Sequence, residues 1–182
     1  MKKIIYLLVM TAVVFNFGGC GKATVETETV RFEDSSDLTT TMYMGEDGWS
    51  VIYDEQFFEM NEITKGQDIE LIYTDECKGS TYVELNEVNG KSAKELIDEK
   101  KQEYDNTSDI YEIQQDNTSG YVFYVPYIAP SQTSGNERYT SVEVFELKDG
   151  ALVVTASQML REEMKVSDRI ADVVNSVEIY YY

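Results

Sequence analysis

From about residue 42 onward, apolar and polar positions alternate in short runs separated by turn residues, the pattern of half-buried β-strands. Residues 42–44 and 49–53 flank Gly45-Glu46-Asp47-Gly48, which predicts a hairpin, with Phe57-Phe58 just beyond it. In 68–73, Ile69, Leu71 and Tyr73 share one face. In 80–88, Thr81, Val83 and Leu85 share one face and polar groups the other. Further strands are predicted at 110–113, 121–127, 139–147 and 152–154. The last three are apolar on both sides, which calls for a sheet covered on both faces.

Two segments have helical spacing instead. After the Asn89-Gly90 turn, Ser92-x-x-Glu95 forms a capping box, in which each side chain bonds the other residue's backbone amide. Ala93, Leu96, Ile97 and Tyr104 then fall near one stripe of an otherwise charged helix. A second helix is expected within 160–177, with Ser167 capping an inner segment and Ile170, Val173, Val174 and Val177 on one stripe. Pro126 points to a strand end or edge strand, and 128–138 is the longest loop. The repeated Asp-Asn-Thr-Ser strings at 105–108 and 116–119 are turn chemistry.

The start of the chain follows a different logic. Lys2 and Lys3 precede an uncharged apolar run at 4–15, shorter than the roughly 20 residues of a membrane-spanning helix. Small residues and a cysteine follow, in Phe17-Gly18-Gly19-Cys20. This arrangement resembles the signal of bacterial lipoproteins, departing from the family's usual residues at Phe17 and Gly18. The resemblance implies cleavage after Gly19 and a diacylglycerol group on Cys20, hence a membrane partner through a lipid anchor. It places the protein on the outer face of a bacterial, Gram-positive-type cell membrane. An ordinary secretory signal that happens to contain a cysteine is the alternative. Residues 1–20 are then a signal peptide. Residues 21–41, acidic and rich in Thr, Ser and Glu, form a tether, and 42–182 form one domain.

Charge narrows the partners. The chain carries 34 acidic and 15 basic residues, a net charge of −19, and loss of Lys2 and Lys3 with the signal makes it −21. Such a chain repels nucleic acid and anionic head groups and attracts cations, basic proteins or basic peptides, while the plainer reading is that the charge only solvates a secreted surface. Acylation of Cys20 leaves Cys77 as the one remaining thiol, so an internal disulfide is not expected. Asp75 and Glu76 beside it disfavour a thiolate and argue for an inert role.

Gly48-Trp49-Ser50-Val51-Ile52-Tyr53 resembles the opening strand of PsbP-like domains, and Ile170-Ala171-Asp172-Val173-Val174-Asn175-Ser176-Val177 their closing helix. Asp54 stands where the family commonly has proline. The resemblance implies an α+β fold, a central antiparallel sheet with helices on both faces, and a binding or accessory role with no shared catalytic residues.

The absence of histidine excludes His-based triads and most zinc sites, and no nucleophile elbow, phosphate loop or dinucleotide fingerprint occurs. No catalytic residue is assigned, and the chain is expected not to be an enzyme. The expectation is a non-enzymatic module contacting an envelope component, with no cofactor beyond the lipid. The alternative is a calcium- or small-ligand-binding protein; carboxylates at Glu46-Asp47, Asp54-Glu55, Asp75-Glu76 and 116–120 would serve calcium, though none has EF-hand spacing and solvated turns explain them equally. A carboxylate-dependent hydrolase is third. Among 14 tyrosines, those at 121, 124, 127 and 139 read as sheet packing, whereas Tyr180, Tyr181 and Tyr182 form a candidate interaction surface if exposed.

Overall fold

The computed structural model describes residues 24–31, 37–74, 81–104, 108–115, 118–125, 138–159 and 164–180. Among them, chain order is β1 (Thr24–Arg31), β2 (Asp37–Met44), β3 (Trp49–Asp54), β4 (Phe58–Thr64), β5 (Asp68–Tyr73), β6 (Tyr82–Asn89) and α1 (Ala93–Glu103). There follow β7 (Tyr111–Gln115), β8 (Thr118–Val125), β9 (Arg138–Glu146), β10 (Gly150–Met159), α2 (Met164–Asn175) and β11 (Glu178–Ile179). They build two antiparallel sheets: a four-stranded one ordered β1-β2-β3-β11 and a seven-stranded one ordered β4-β5-β6-β10-β9-β8-β7.

β10 explains why the late strands are apolar on both sides. Ala151 and Val153 pack with Ala93, Leu96 and Ile97 of α1 and with Phe123, Val142 and Val144. Leu152, Val154 and Ala156, of the opposite parity, join a larger cluster that includes Tyr43, Trp49, Val51, Ile69, Leu71, Val83 and Leu85. Burying one such aliphatic side chain contributes about 1.5–3 kcal/mol. The expected single central sheet with a helical layer on both faces is therefore corrected. α1 covers one face, whereas the other is closed largely by a second β-sheet, because Tyr43, Trp49 and Val51 bring enough apolar surface to do what a helix would. α2 lies where the two sheets meet, adding Val166, Ile170, Val173, Val174 and Val177 to the same cluster.

Local chemistry sets the element ends. The capping box at α1 is present: Ser92 Oγ accepts from Glu95 N at 3.3 Å, and Glu95 Oε2 accepts from Ser92 N at 3.0 Å. α2 starts at Met164, so Ser167 is an internal residue of that helix, not its cap. Ser176 just past its end accepts from Ile52 N at 2.9 Å and donates to the Ile52 or Val173 carbonyl, tying α2 to β3. The Arg169 guanidinium stacks 3.1 Å from the Phe57 ring centroid and fixes α2 from the other side.

Two elements depart from the sequence reading. Residues 24–31 and 37–41, placed in the tether, contain strand: β1 pairs with β2 from Thr24↔Met44 to Arg31↔Asp37. The β-branched alternation of 24–30 suits a strand, and pairing along β2 satisfies its backbone groups. β4 was not anticipated, because an edge strand contributes little to the core. Phe58 is buried, Met60 half-buried, and a bulge between Glu62 and Thr64 leaves Ile63 56% exposed.

The sheets are locked at one end by polar contacts. Trp49 Nε1 donates to Glu87 Oε2 at 3.0 Å, and the Tyr43 hydroxyl donates to Glu62 Oε1 at 2.8 Å while accepting from Gly66 N at 3.0 Å. The Tyr43 and Trp49 rings lie 5.6 Å apart. Gly45 is required here: a Cβ would stand 2.1 Å from the Trp49 ring. Glu87 Oε1 is buried without a hydrogen bond. Burial, followed by the Asp47 carboxyl beside it, pushes Glu87 up to about 7.

A carboxyl whose folded value lies above its unfolded one stabilises the fold fully below the unfolded value and loses that contribution as pH rises through about 7. Thermal melts should therefore show the wild type losing about 1–3 kcal/mol more than Glu87→Gln between pH 5 and pH 8.5. Identical pH dependence in the two proteins would show Glu87 to be solvated. Trp49→Phe should cost at least about 1–3 kcal/mol at pH 8.5 by leaving the carboxylate without its donor.

Candidate functional site

Beyond α2, the seven-stranded sheet has a stretch that the four-stranded sheet does not cover. On β9, Tyr139, Ser141 and Glu143 share the parity of Phe145 and so face the side of the larger core cluster. Their partners on β10 are Gln158, Ala156 and Val154, and Ser141 is also paired with Tyr124 of β8. Ser141 and Ala156, both small, sit opposite each other and form a shallow floor. α2 supplies the far wall through Ser167, Ile170, Ala171, Val174 and Asn175. The result is a pocket of about 210 Å³.

The lining sets polar groups against apolar walls. Glu143 has no hydrogen-bond or ion-pair partner among the described residues. Burial alone pushes its carboxyl up to about 7, so near neutral pH it is poised between charged and neutral forms. Gln158 Oε1 is closed off from solvent and carries no hydrogen bond among the described residues. Tyr124 and Tyr139 stack at the rim with ring centroids 6.0 Å apart and remain 41% and 36% exposed. Burial, then the neighbouring Tyr124 and Glu143, raises the Tyr139 phenol above its ordinary value. No described lining residue is basic.

The residues expected from sequence to carry function lie elsewhere. Cys20, Cys77, Tyr181, Tyr182 and loop residues 128–137 fall outside the described residues, and Arg138 opens β9. Tyr180 is half-buried. Its N donates to the Gly48 carbonyl at 2.6 Å and its hydroxyl donates to Glu178 Oε2 at 2.6 Å, with Ser50 Oγ 3.1 Å away. It thus continues the β11–β3 pairing. Of the candidate calcium carboxylates, Asp54 Oδ1 accepts from Gln56 N at 2.9 Å within its own turn, and Glu55 Oε1 accepts from Thr41 Oγ1 of β2 at 2.7 Å. Asp75, Glu76 and 116–117 are outside the described residues, and no three His, Cys, Asp or Glu converge among those described.

Glu143 and Gln158 were missed. The available signal was weak: Glu143 stands between Val142 and Val144 in 139–147, but Glu146 is a second acid in the same strand, so composition did not single it out. The chain matches no protein-family model and no curated protein.

The Glu143 carboxyl carbon, followed by NMR, should titrate with a midpoint near 7. A midpoint at the ordinary glutamate value would mean that the pocket is open to bulk water. Glu143→Gln should also raise stability at pH 8.5 relative to wild type by about 1 kcal/mol, since the mutant buries no charge there.

Proposed function

We propose that this chain is an exported lipoprotein, anchored on the outer face of a bacterial membrane through acylated Cys20, whose domain is a non-enzymatic module for binding a small ligand. The address is supported by Lys2, Lys3, the apolar run at 4–15 and the Gly18-Gly19-Cys20 sequence. The binding reading is carried by one observation: a pocket between β9, β10 and α2 lined by the Glu143 carboxyl, which has no partner among the described residues. Buried polar groups are normally satisfied, and a pocket wall with a carboxyl left without a described partner suits a donor brought from outside.

The likeness to PsbP-like domains belongs to the same proposal. It rests on the antiparallel sheet, on the Trp49 strand and on a closing helix followed by Ser176-Val177. A small organic ligand suits the pocket better than calcium, which takes six to eight oxygens, because a single carboxylate lines it among the described residues. A hydrolase working through two facing carboxyls would need a second acid there.

The address and the binding are tested separately. Wild-type protein should sediment with membranes and incorporate labelled palmitate, and Cys20→Ser should do neither. Incorporation retained in the variant would rule out this anchor. Full-length protein in non-ionic detergent should be melted against a panel of small cationic, neutral and anionic compounds. A true ligand at about 100 times its Kd adds about 2.7 kcal/mol. Shifts abolished by Ala171→Phe, which fills the pocket from the exposed face of α2, support the reading. A panel without any such shift overturns it.

A further inference from the structure

We propose that the pocket between β9, β10 and α2 takes a single pyranose ring, seated over Ser141 with adjacent hydroxyls at Glu143 and a C–H face against the Tyr139 ring. This rests on the binding reading above and adds the chemical class of the ligand.

Ser141 is the centre of the site. Tyr139 and Glu143 share its face of β9 and stand two residues to either side, roughly 7 Å along the strand in each direction. Tyr124 stands beside it on β8 and Ala156 on β10. From α2, Ser167, Ala171 and Asn175 come at intervals of four residues, so they lie on one face of the helix, opposite that floor. One ring above Ser141 therefore meets an acid on one side, a tyrosine on the other and helical polar groups above. The cavity, at about 210 Å³, is smaller than the roughly 300–1,000 Å³ of pockets that hold drug-sized ligands, which fits one ring and not a chain of them.

The polar groups set the chemistry. The side chains of Ser141, Ser167, Asn175 and Glu143 make no hydrogen bond with another described residue. A hydroxyl both donates and accepts, a side-chain amide does both through different atoms, and a carboxylate accepts. A ligand with donors alone or acceptors alone would leave part of this lining unsatisfied, whereas every sugar hydroxyl does both. Two adjacent ring hydroxyls can give their protons to the two oxygens of one carboxylate. Ile170, Val174 and Ala156 supply apolar wall. The Tyr124 and Tyr139 rings, 28° from parallel and partly exposed, supply aromatic face. That face is electron-rich and takes the polarised C–H bonds on one side of a pyranose. An open-chain polyol has the same hydroxyls but loses more conformational freedom on binding. A flat aromatic ligand would stack as well but bring few hydroxyls. A ring with hydroxyls around its edge and C–H bonds on its face meets both kinds of wall.

Saturation-transfer NMR on full-length protein, in a polyoxyethylene detergent at pH 8, tests this. The probes are methyl β-D-glucopyranoside, its galacto and manno epimers, D-sorbitol (hydroxyls without the ring) and tetrahydropyran-2-methanol (the ring without its ring hydroxyls). At least one pyranoside should bind about tenfold or more tighter than either control, the scale of one or two hydrogen bonds. Glu143→Gln should weaken that pyranoside about fivefold, the difference between a charged and a neutral acceptor. Tyr139→Leu should weaken it several-fold. Ala171→Phe, at an exposed helix position, should abolish binding, and it keeps the test valid if the strand variants do not fold. The β-1,4-linked tetrasaccharide of whichever sugar binds separates two sources of such a ring: tighter binding than the methyl glycoside supports a glycan end, weaker binding a free sugar. Equal binding of D-sorbitol or tetrahydropyran-2-methanol would overturn the pyranose assignment while leaving the pocket a binding site. Transfer undiminished in Ala171→Phe would put the sugar elsewhere on the surface and overturn it too. No transfer to any pyranoside overturns this inference, and the binding reading falls with it only if the wider panel is also silent.

Discussion

The indole N–H of Trp49 reaches out of the four-stranded sheet and donates to Glu87 on the seven-stranded one, 38 positions further along the chain. The contact is buried, and much else is arranged around it. Trp49 can lie flat over the β2–β3 turn only because Gly45 has no side chain. Tyr43 packs against the same indole and sends its hydroxyl to Glu62 and Gly66 at the β4–β5 turn. A carboxyl held this way is costly to ionise, and the fold tolerates it because losing the partner would cost more. The two sheets are thereby fixed in register at one end, and the apolar cluster from Trp49 to Val177 closes behind them.

That arrangement also decides where the molecule is left open. The second sheet covers the β4-β5-β6 side of the large sheet, α2 fills the junction, and α1 covers the reverse face. Among the described residues, no further element covers the stretch of β9 and β10 beyond α2. Small residues at Ser141 and Ala156 leave space between sheet and helix unfilled there, and Glu143 and Gln158 line the hollow with them. A site of this kind is a by-product of layer geometry that polar residues then make chemically specific. The raised carboxyl follows from the same cause: low exposure to water without a compensating charge.

Much of the chain was legible before the structure. The β2–β3 hairpin, β5, β6 and the α1 capping box stand where alternation and turn chemistry put them, because each is decided by contacts within a few residues. β4 was not legible, since its exposed residues are polar and only Phe58 is fully buried. Ser167 misled because a serine inside an amphipathic stretch looks like a cap when the turn before it cannot be judged. Glu143 left a faint signal, an acid between two valines in a strand that also carries Glu146, and its meaning depended on which groups would face it.

The sequence by itself determined much of the short-range order of this protein: the β2–β3 hairpin, β5, β6, α1, the two-sided burial of β10 and a strongly acidic composition. Periodicity and charge are properties of the chain read locally, and no partner is needed to interpret them. Only the tertiary structure decided that a second sheet closes the core where a helix was expected, and that Glu143 and Gln158 share a pocket with α2. Those outcomes depend on register and on how layers meet, which are set by contacts between residues far apart in sequence, such as Trp49 with Glu87.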